Sequence, residues 1–183
     1  VVLLPIQCDS QDDALTIFQT INDRGMALSD ADIFKAKLHA SALDKTDFID
    51  RWNSLEDHLW LFRVHMHISR AKFNDTSKEN ALRTYFDDKN KLQNDYDFVL
   101  DSLKKTSDID EWEATDLINI MWSILEVYPN YYWNFPIFVF LHKYGEYDSN
   151  GDFFLSEDNE SSFNELITDS VKYFYVKGVV HNS

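Results

Sequence analysis

The sequence is short of the residues that interrupt helices. Four glycines and three prolines serve 183 positions. That is too few for a turn-rich β-sandwich or barrel, whose short strands are punctuated by such residues. The single cysteine, Cys8, excludes an internal disulfide framework and a cysteine-built zinc centre. It lies beside Ile6 in an apolar run and reads as a buried, inert thiol. No apolar stretch approaches the roughly 20 residues that cross a bilayer, and no secretory leader pattern is visible. These absences fit a protein of the reducing cytoplasm with no membrane partner.

Positive charge is also scarce. Seventeen Lys and Arg face 32 Asp and Glu, for a formal net charge of -15. Binding to a phosphate backbone depends on basic residues that neutralise it, and the longest basic run is Lys104-Lys105. Direct nucleic-acid binding is therefore not expected. Between Asp148 and Asp169 there are seven acids and no base, which reads as a solvated surface.

Apolar material is plentiful: 44% of residues are hydrophobic, with 14 Phe, 9 Tyr and 5 Trp. This supplies a real core and excludes wholesale disorder. The first eight residues, Val1 to Cys8, are β-prone, yet few strand signals follow. A lone apolar strand leaves its backbone groups unpaired, so its sheet partners are expected upstream, in a larger protein of which this chain is a middle region. After it, apolar spacing predicts helices over 11–22, 29–43, 46–66, 95–105, 107–128, 136–144 and 161–176, with a short one around Leu82. The helix over 107–128 is the most apolar and is expected deep in the bundle. Asn150-Gly151 marks a turn, with a small hairpin about it. The predicted fold is mainly α: a multi-helix bundle with one orphan N-terminal strand. Two units are expected, residues 1–44 closing an N-terminal domain and 45–183 forming a helical domain.

Few side-chain patterns carry chemistry. His65 and His67 stand two apart on a predicted helix, so their imidazoles diverge, and no acid or cysteine completes a metal site. They read as surface or boundary histidines. Asp148-Ser-Asn150-Gly151-Asp152 departs from a calcium loop, because its glycine falls at the fourth position and the twelfth would be Asn159. It reads as a plain turn. No phosphate-cradling glycine loop or hydrolase signature is present, and no catalytic residue is assigned.

One corner stands apart. Phe18 to Lys35 reads as a helix, a glycine turn at Gly25, and a second helix capped by Ser29. Asn22 and Arg24 sit at the turn. They are either ordinary corner residues, satisfying carbonyls and a carboxylate, or groups projecting into a polar pocket toward an anion; the chemistry alone supports both.

The pattern Phe18-x-x-x-Asn22-x-Arg24-Gly25-x-x-Leu28-Ser29-x-x-Asp32-x-x-Lys35 closely resembles a signature of the GmrSD-like modification-dependent restriction endonucleases, bacterial and archaeal DNA-defence proteins. Such proteins join a ParB/sulfiredoxin-like nucleoside triphosphatase domain to a helical region and, in many members, an HNH-type nuclease domain. The resemblance implies that Asn22, Arg24 and Gly25 belong to a nucleotide site. Phe18, Asp32 and Lys35 would lend support. It covers about residues 6–38. The family's Asp-Gly-Gln-Gln-Arg motif and its His-Asn-His motif do not occur in this chain. The resemblance thus implies a helical middle region that needs no cofactor of its own. The nucleoside triphosphate, with magnesium, would be bound by the whole parent. The partners would be the N-terminal and nuclease domains of the same protein. By itself such a region would not be an active enzyme. A stand-alone acidic helical module that binds a protein partner is the alternative.

Overall fold

The computed structural model describes residues 10, 17, 28–78, 81–87 and 96–181, with side chains to residue 176 in the last helix. The strand expected at the N-terminus, the helix over 11–22 and Cys8 lie outside the described residues. Within them the fold is mainly α, with eight helices and one two-stranded antiparallel hairpin.

Side-chain caps set the first three helices. Helix α1, Asp30–Ser41, opens on a reciprocal cap: Ser29 Oγ accepts from Asp32 N, and Asp32 Oδ2 accepts from Ser29 N. This satisfies two backbone donors that helix geometry would leave unpaired. Helix α2, Lys45–Asn53, is capped by Asp44, whose Oδ1 accepts from Thr46 N at 2.9 Å and Asp47 N at 3.0 Å. Helix α3, His58–Lys72, is capped by Asp57, which adopts a left-handed conformation with φ 39°. That reversal divides the single helix predicted over 46–66. The apolar stripe runs on through the break, because Leu55 is buried within it, and so the periodicity did not reveal it.

Helices α4 (Leu82–Asp87), α5 (Tyr96–Asp110), α6 (Asp116–Glu126), α7 (Asn134–Tyr144) and α8 (Glu157–His181) follow. Strands β1 (Glu146–Tyr147) and β2 (Phe153–Phe154) pair between α7 and α8, with Glu146 opposite Phe154 and Tyr147 opposite Phe153. Their turn is a local Asp device. Asp148 Oδ1 accepts from Asn150 N and Asp152 N, and Gly151 takes φ 88°. Those backbone donors hold the Asp148 carboxyl below its ordinary range.

The predicted helix over 107–128 also divides. Residues 107–110 complete α5, and α6 begins at Asp116. Nor does α6 lie deep. Ile118 and Leu125 are buried, whereas Leu117 and Ile120 are 48% and 57% exposed. A helix with apolar residues on every face is expected to be central, but here one stripe alone meets the bundle. The last helix runs about a turn further at each end than predicted.

Helix α3 is the axis of the packing. Leu61, Phe62 and Met66 join Phe34, Leu38, Phe48, Trp52, Phe86 and Leu100 in one apolar cluster built from α1, α2, α4 and α5. Val64 and Ile68 join Ile118, Leu125, Ile137, Phe138, Phe163 and Ile167 in a second. Trp60 packs against both.

The α7–β1 corner is tight. A Cβ on buried Gly145 would fall 2.1 Å from the Phe153 ring and 2.6 Å from the Leu141 carbonyl oxygen. Gly145→Ala is expected to cost about 1–3 kcal/mol by overpacking, read as a lower urea midpoint. Trimming the ring in the double variant with Phe153→Leu should return part of the loss. A single variant as stable as the parent would show that the hairpin yields freely.

Candidate functional site

Of the residues assigned to the nucleotide corner, Phe18, Asn22, Arg24 and Gly25 lie outside the described residues. Asp32 and Lys35 are described, and each has a structural occupation. Asp32 is the reciprocal partner of the Ser29 cap, accepting from both the Ser29 amide and its hydroxyl. Lys35 lies on the Trp52 ring, with Nζ 5.6 Å from its centroid. Two ion pairs hold α1 to α4: the Arg83 guanidinium reaches Asp30 at its start at 2.8 Å, and Lys37 further along reaches Asp87 at 2.6 Å. The exit of the corner is thereby fixed to α4.

Beside this exit opens a cleft of about 590 Å³, with Asp30 and Leu82 on one wall, Arg63 and Met66 on another, and Asn130 and Tyr132 closing it. The volume falls within the range of small-molecule pockets, roughly 300–1,000 Å³. Its floor is aromatic. Phe135 is buried, the His67 ring stacks on it at 3.8 Å, and Tyr132 meets it edge-on at 6.0 Å. Arg63 Nη1 donates to Tyr131 Oη at 3.2 Å, and its guanidinium carbon sits 6.0 Å from that ring's centroid. Sequence reading missed this site: the two residues are 68 positions apart, and neither belongs to a recognisable motif.

A second group of polar side chains lies inside the bundle. His65 and Ser69 of α3 and Ser102 and Thr106 of α5 are buried. His65 Nε2 is 3.3 Å from Ser69 Oγ, and His142 Nε2 of α7 is 2.9 Å from Thr106 Oγ1. The Thr106 hydroxyl donates to the Ser102 carbonyl at 2.9 Å, which assigns the shared proton of the His142 contact to the imidazole. Lys105 closes the group from outside, with Nζ donating to the His142 and Gly145 carbonyls at 3.1 and 2.7 Å. It caps the C-terminus of α7, where a cation meets the negative end of the helix dipole. Burial lowers the Lys105 pKa, against the opposing pull of Glu146.

Both interior histidines are held neutral. Burial, assisted by Lys72, lowers His65 from 6.5 to about 3. Burial, assisted by Lys105 and His65, lowers His142 to about 3. The reading of His65 as a surface or boundary histidine is thus corrected: it packs on Phe86 and Phe98 in the core. The divergence of His65 and His67 is as expected, since His67 faces Phe135 instead. Among the described residues no group of three metal-ligating side chains converges.

Asp110 titrates in the opposite sense. Loss of solvent around its carboxyl pushes it up to about 6, although the residue keeps an exposed edge and accepts a hydrogen bond from Trp60 Nε1.

Comparison with family models, with curated proteins and with solved structures gives no match to this chain.

The buried histidines set an acid response. Each has a folded pKa below its unfolded value, so the unfolded chain takes up more protons between pH 6.5 and about 3. Their stabilising contribution is full above pH 6.5 and declines as pH falls toward 3. Asp110 contributes the reverse slope between pH 6 and 3.8, one group against two. The urea midpoint should fall between pH 6.5 and 4. His65→Leu, which fills the site with an apolar side chain, should flatten that fall. A variant with an unchanged pH slope would show that His65 is not the titrating group.

Proposed function

We propose that this chain is the helical region of a GmrSD-like DNA-defence protein. In this reading it completes a nucleoside triphosphate site through Asn22, Arg24 and Gly25 and links that site to a nuclease domain carried elsewhere in the parent. The observation that carries the reading is the spaced set Phe18, Asn22, Arg24, Gly25, Leu28, Ser29, Asp32 and Lys35. Two features of the fold support it. Ser29 and Asp32, the conspicuous polar pair in the second half of the set, form the cap that starts α1. The helix so started is anchored by Ile33, Phe34 and Leu38 in the core and by Arg83 and Lys37 at its sides. A corner leading into such a helix has a rigid exit, which a ligand-positioning turn requires. In this reading Asp32 and Lys35 act as supports, shaping the corner while Asn22 and Arg24 meet the anion.

The nucleotide and its magnesium belong to the whole parent, and the acidic surface argues against direct DNA contact by this region. The reading also has a cytoplasmic setting. No described helix is long and apolar enough to cross a membrane.

A second reading, an acidic module that docks a protein partner, draws on one observation. Leu117, Ile120, Val127 and Val176 are between 48% and 79% exposed on α6 and α8 and the turn after α6, an unusual concentration of apolar surface. The coding sequence upstream of Val1 separates the two readings: an Asp-Gly-Gln-Gln-Arg segment supports the first and an immediate start codon supports the second.

In the parent protein, Asn22→Ala should reduce nucleoside triphosphate turnover by roughly tenfold or more, as expected for loss of a charge-assisted contact, with an unchanged Tm. The isolated chain should hydrolyse GTP, UTP and ATP negligibly. Unchanged turnover in the variant parent would remove Asn22 from the site. Turnover by the isolated chain that Asn22→Ala abolishes would overturn the division of labour.

A further inference from the structure

The arginines of the described residues sort unevenly. Arg51 reaches Asp97 at 2.9 Å and Asp101 at 2.6 Å, Arg70 reaches Asp75 at 3.9 Å, and Arg83 reaches Asp30 at 2.8 Å. Arg63 alone among them forms no ion pair with any described carboxylate, on a chain with 32 acids and 17 bases. With acids in such excess, a guanidinium on the surface is expected to find one. Arg63 is instead held by the Tyr131 hydroxyl and ring, which among the described residues engages one of its five donors at the lip of the cleft.

The charge inside the cleft follows from this. The one acid among its described lining residues, Asp30, already accepts from Arg83 Nε at 2.9 Å and is neutralised there. Among the described lining residues the uncompensated charge is therefore positive, although the molecule as a whole is strongly negative. Apart from Asn130, the remaining lining is flat or apolar: Tyr132 is 58% exposed, and Met66 and Leu82 contribute apolar surface to the two other walls. A planar fork of donors beside an exposed ring and an apolar wall, in a cleft of about 590 Å³, fits a particular chemistry. An oxyanion accepts from Arg63 while a flat ring lies against Tyr132.

We propose that the cleft between α3 and the Asn130–Tyr132 bend binds a small ligand in which an aromatic ring carries a phosphate or a carboxylate. The site uses residues other than those of the nucleotide corner and stands independently of that reading.

Phenyl phosphate and benzoate serve as the two probes on the full chain, with phenol and inorganic phosphate as the separated halves of the first and benzene and formate as those of the second. Titration calorimetry should show saturable binding of phenyl phosphate or of benzoate, and the better of the two identifies the anion. Each half alone should bind about tenfold weaker or worse, since ring and anion contacts reinforce each other. Arg63→Gln should weaken the better probe about tenfold, and Arg63→Lys should recover only part of the loss, because an ammonium cannot match the fork. Tyr132→Ala should weaken it several-fold through lost stacking. Both residues are exposed, so the variants should keep the parent's circular dichroism and Tm. Phenol binding as well as phenyl phosphate, equal affinity in Arg63→Gln, or no saturation by either probe would each overturn the proposal.

Discussion

The fold depends on burying helix α3 on two opposite sides. Phe62 and Met66 enter one apolar cluster and Val64 and Ile68 the other, so α1, α2 and α4 are joined to α6, α7 and α8 mainly through this helix and its neighbour α5. A helix in that position should be apolar throughout, yet α3 carries three histidines beyond its first residue's turn or within it: His58, His65 and His67. Each imidazole is accommodated differently. His58 stacks on Trp52 at 4.3 Å, His67 lies on Phe135, and His65 is enclosed with Ser69 as its polar neighbour. An imidazole is flat and, when neutral, tolerates an aromatic environment; its charged form in the same place would cost several kcal/mol. The central helix is thus compatible with the core only while its interior histidine is deprotonated, and this condition extends to His142 across the same interface.

Lys105 converts that interface into a corner. Its ammonium donates to two carbonyls at the end of α7 and lies 5.8 and 5.7 Å from the centroids of Tyr147 and Phe153. One side chain of α5 thereby secures the C-terminus of α7 and the hairpin that follows. Tyr147 adds a second tie, its hydroxyl donating to Asp108 Oδ2 at 2.7 Å, and burial with the nearby Asp108 charge raises its pKa. A hairpin with two paired residues per strand is marginal in water. Here it persists because Phe153 and Leu155 enter the core and Gly145 leaves room for the Phe153 ring. Helix α6 has no equivalent polar tie to α3 among the described residues; its Ile118 and Leu125 enter the core while Leu117 and Ile120 stay at the surface.

Much of this was legible in the sequence, for reasons that are themselves local. Ser29 with Asp32, the Asn150-Gly151 turn and the helix containing Pro136 are encoded within a few residues, and each appears where the pattern puts it. The misses involve information the pattern does not carry. Leu55 continues a helical stripe through a break that the left-handed Asp57 creates, and nothing in the period marks that reversal. The depth of α6 could not be read from its composition, because burial depends on which helices are left to cover it. The spacing of His65 and His67 argues against a metal pair and so for surface or boundary histidines, whereas the place of His65 is set by Phe86 and Phe98, more than twenty positions away. The Arg63–Tyr131 pair is longer in range still. Contacts of that separation are decided by tertiary packing.

Charge explains why that pair matters. The acid surplus makes close approach of helices costly at their exposed edges, and three basic residues sit where such an approach occurs. Arg51 on α2 lies among Asp47 of its own helix and Asp97 and Asp101 of α5, while Lys37 and Arg83 join α1 to α4. Exposed pairs of this kind contribute little individually, about 0–1 kcal/mol. Their collective effect is to cancel repulsion between helices that must pack. Arg63 stands outside that set, held by Tyr131 instead, as Lys35 is by the Trp52 ring and Lys105 by the α7 carbonyls. Long-range attraction for an anion would be poor at a net charge of -15, so selectivity at Arg63 must arise at contact, from the fork, the tyrosines and the apolar wall within a Debye length of about 10 Å. A site of that kind discriminates by shape as much as by charge, and it would reject bare inorganic anions that the surrounding acids already repel.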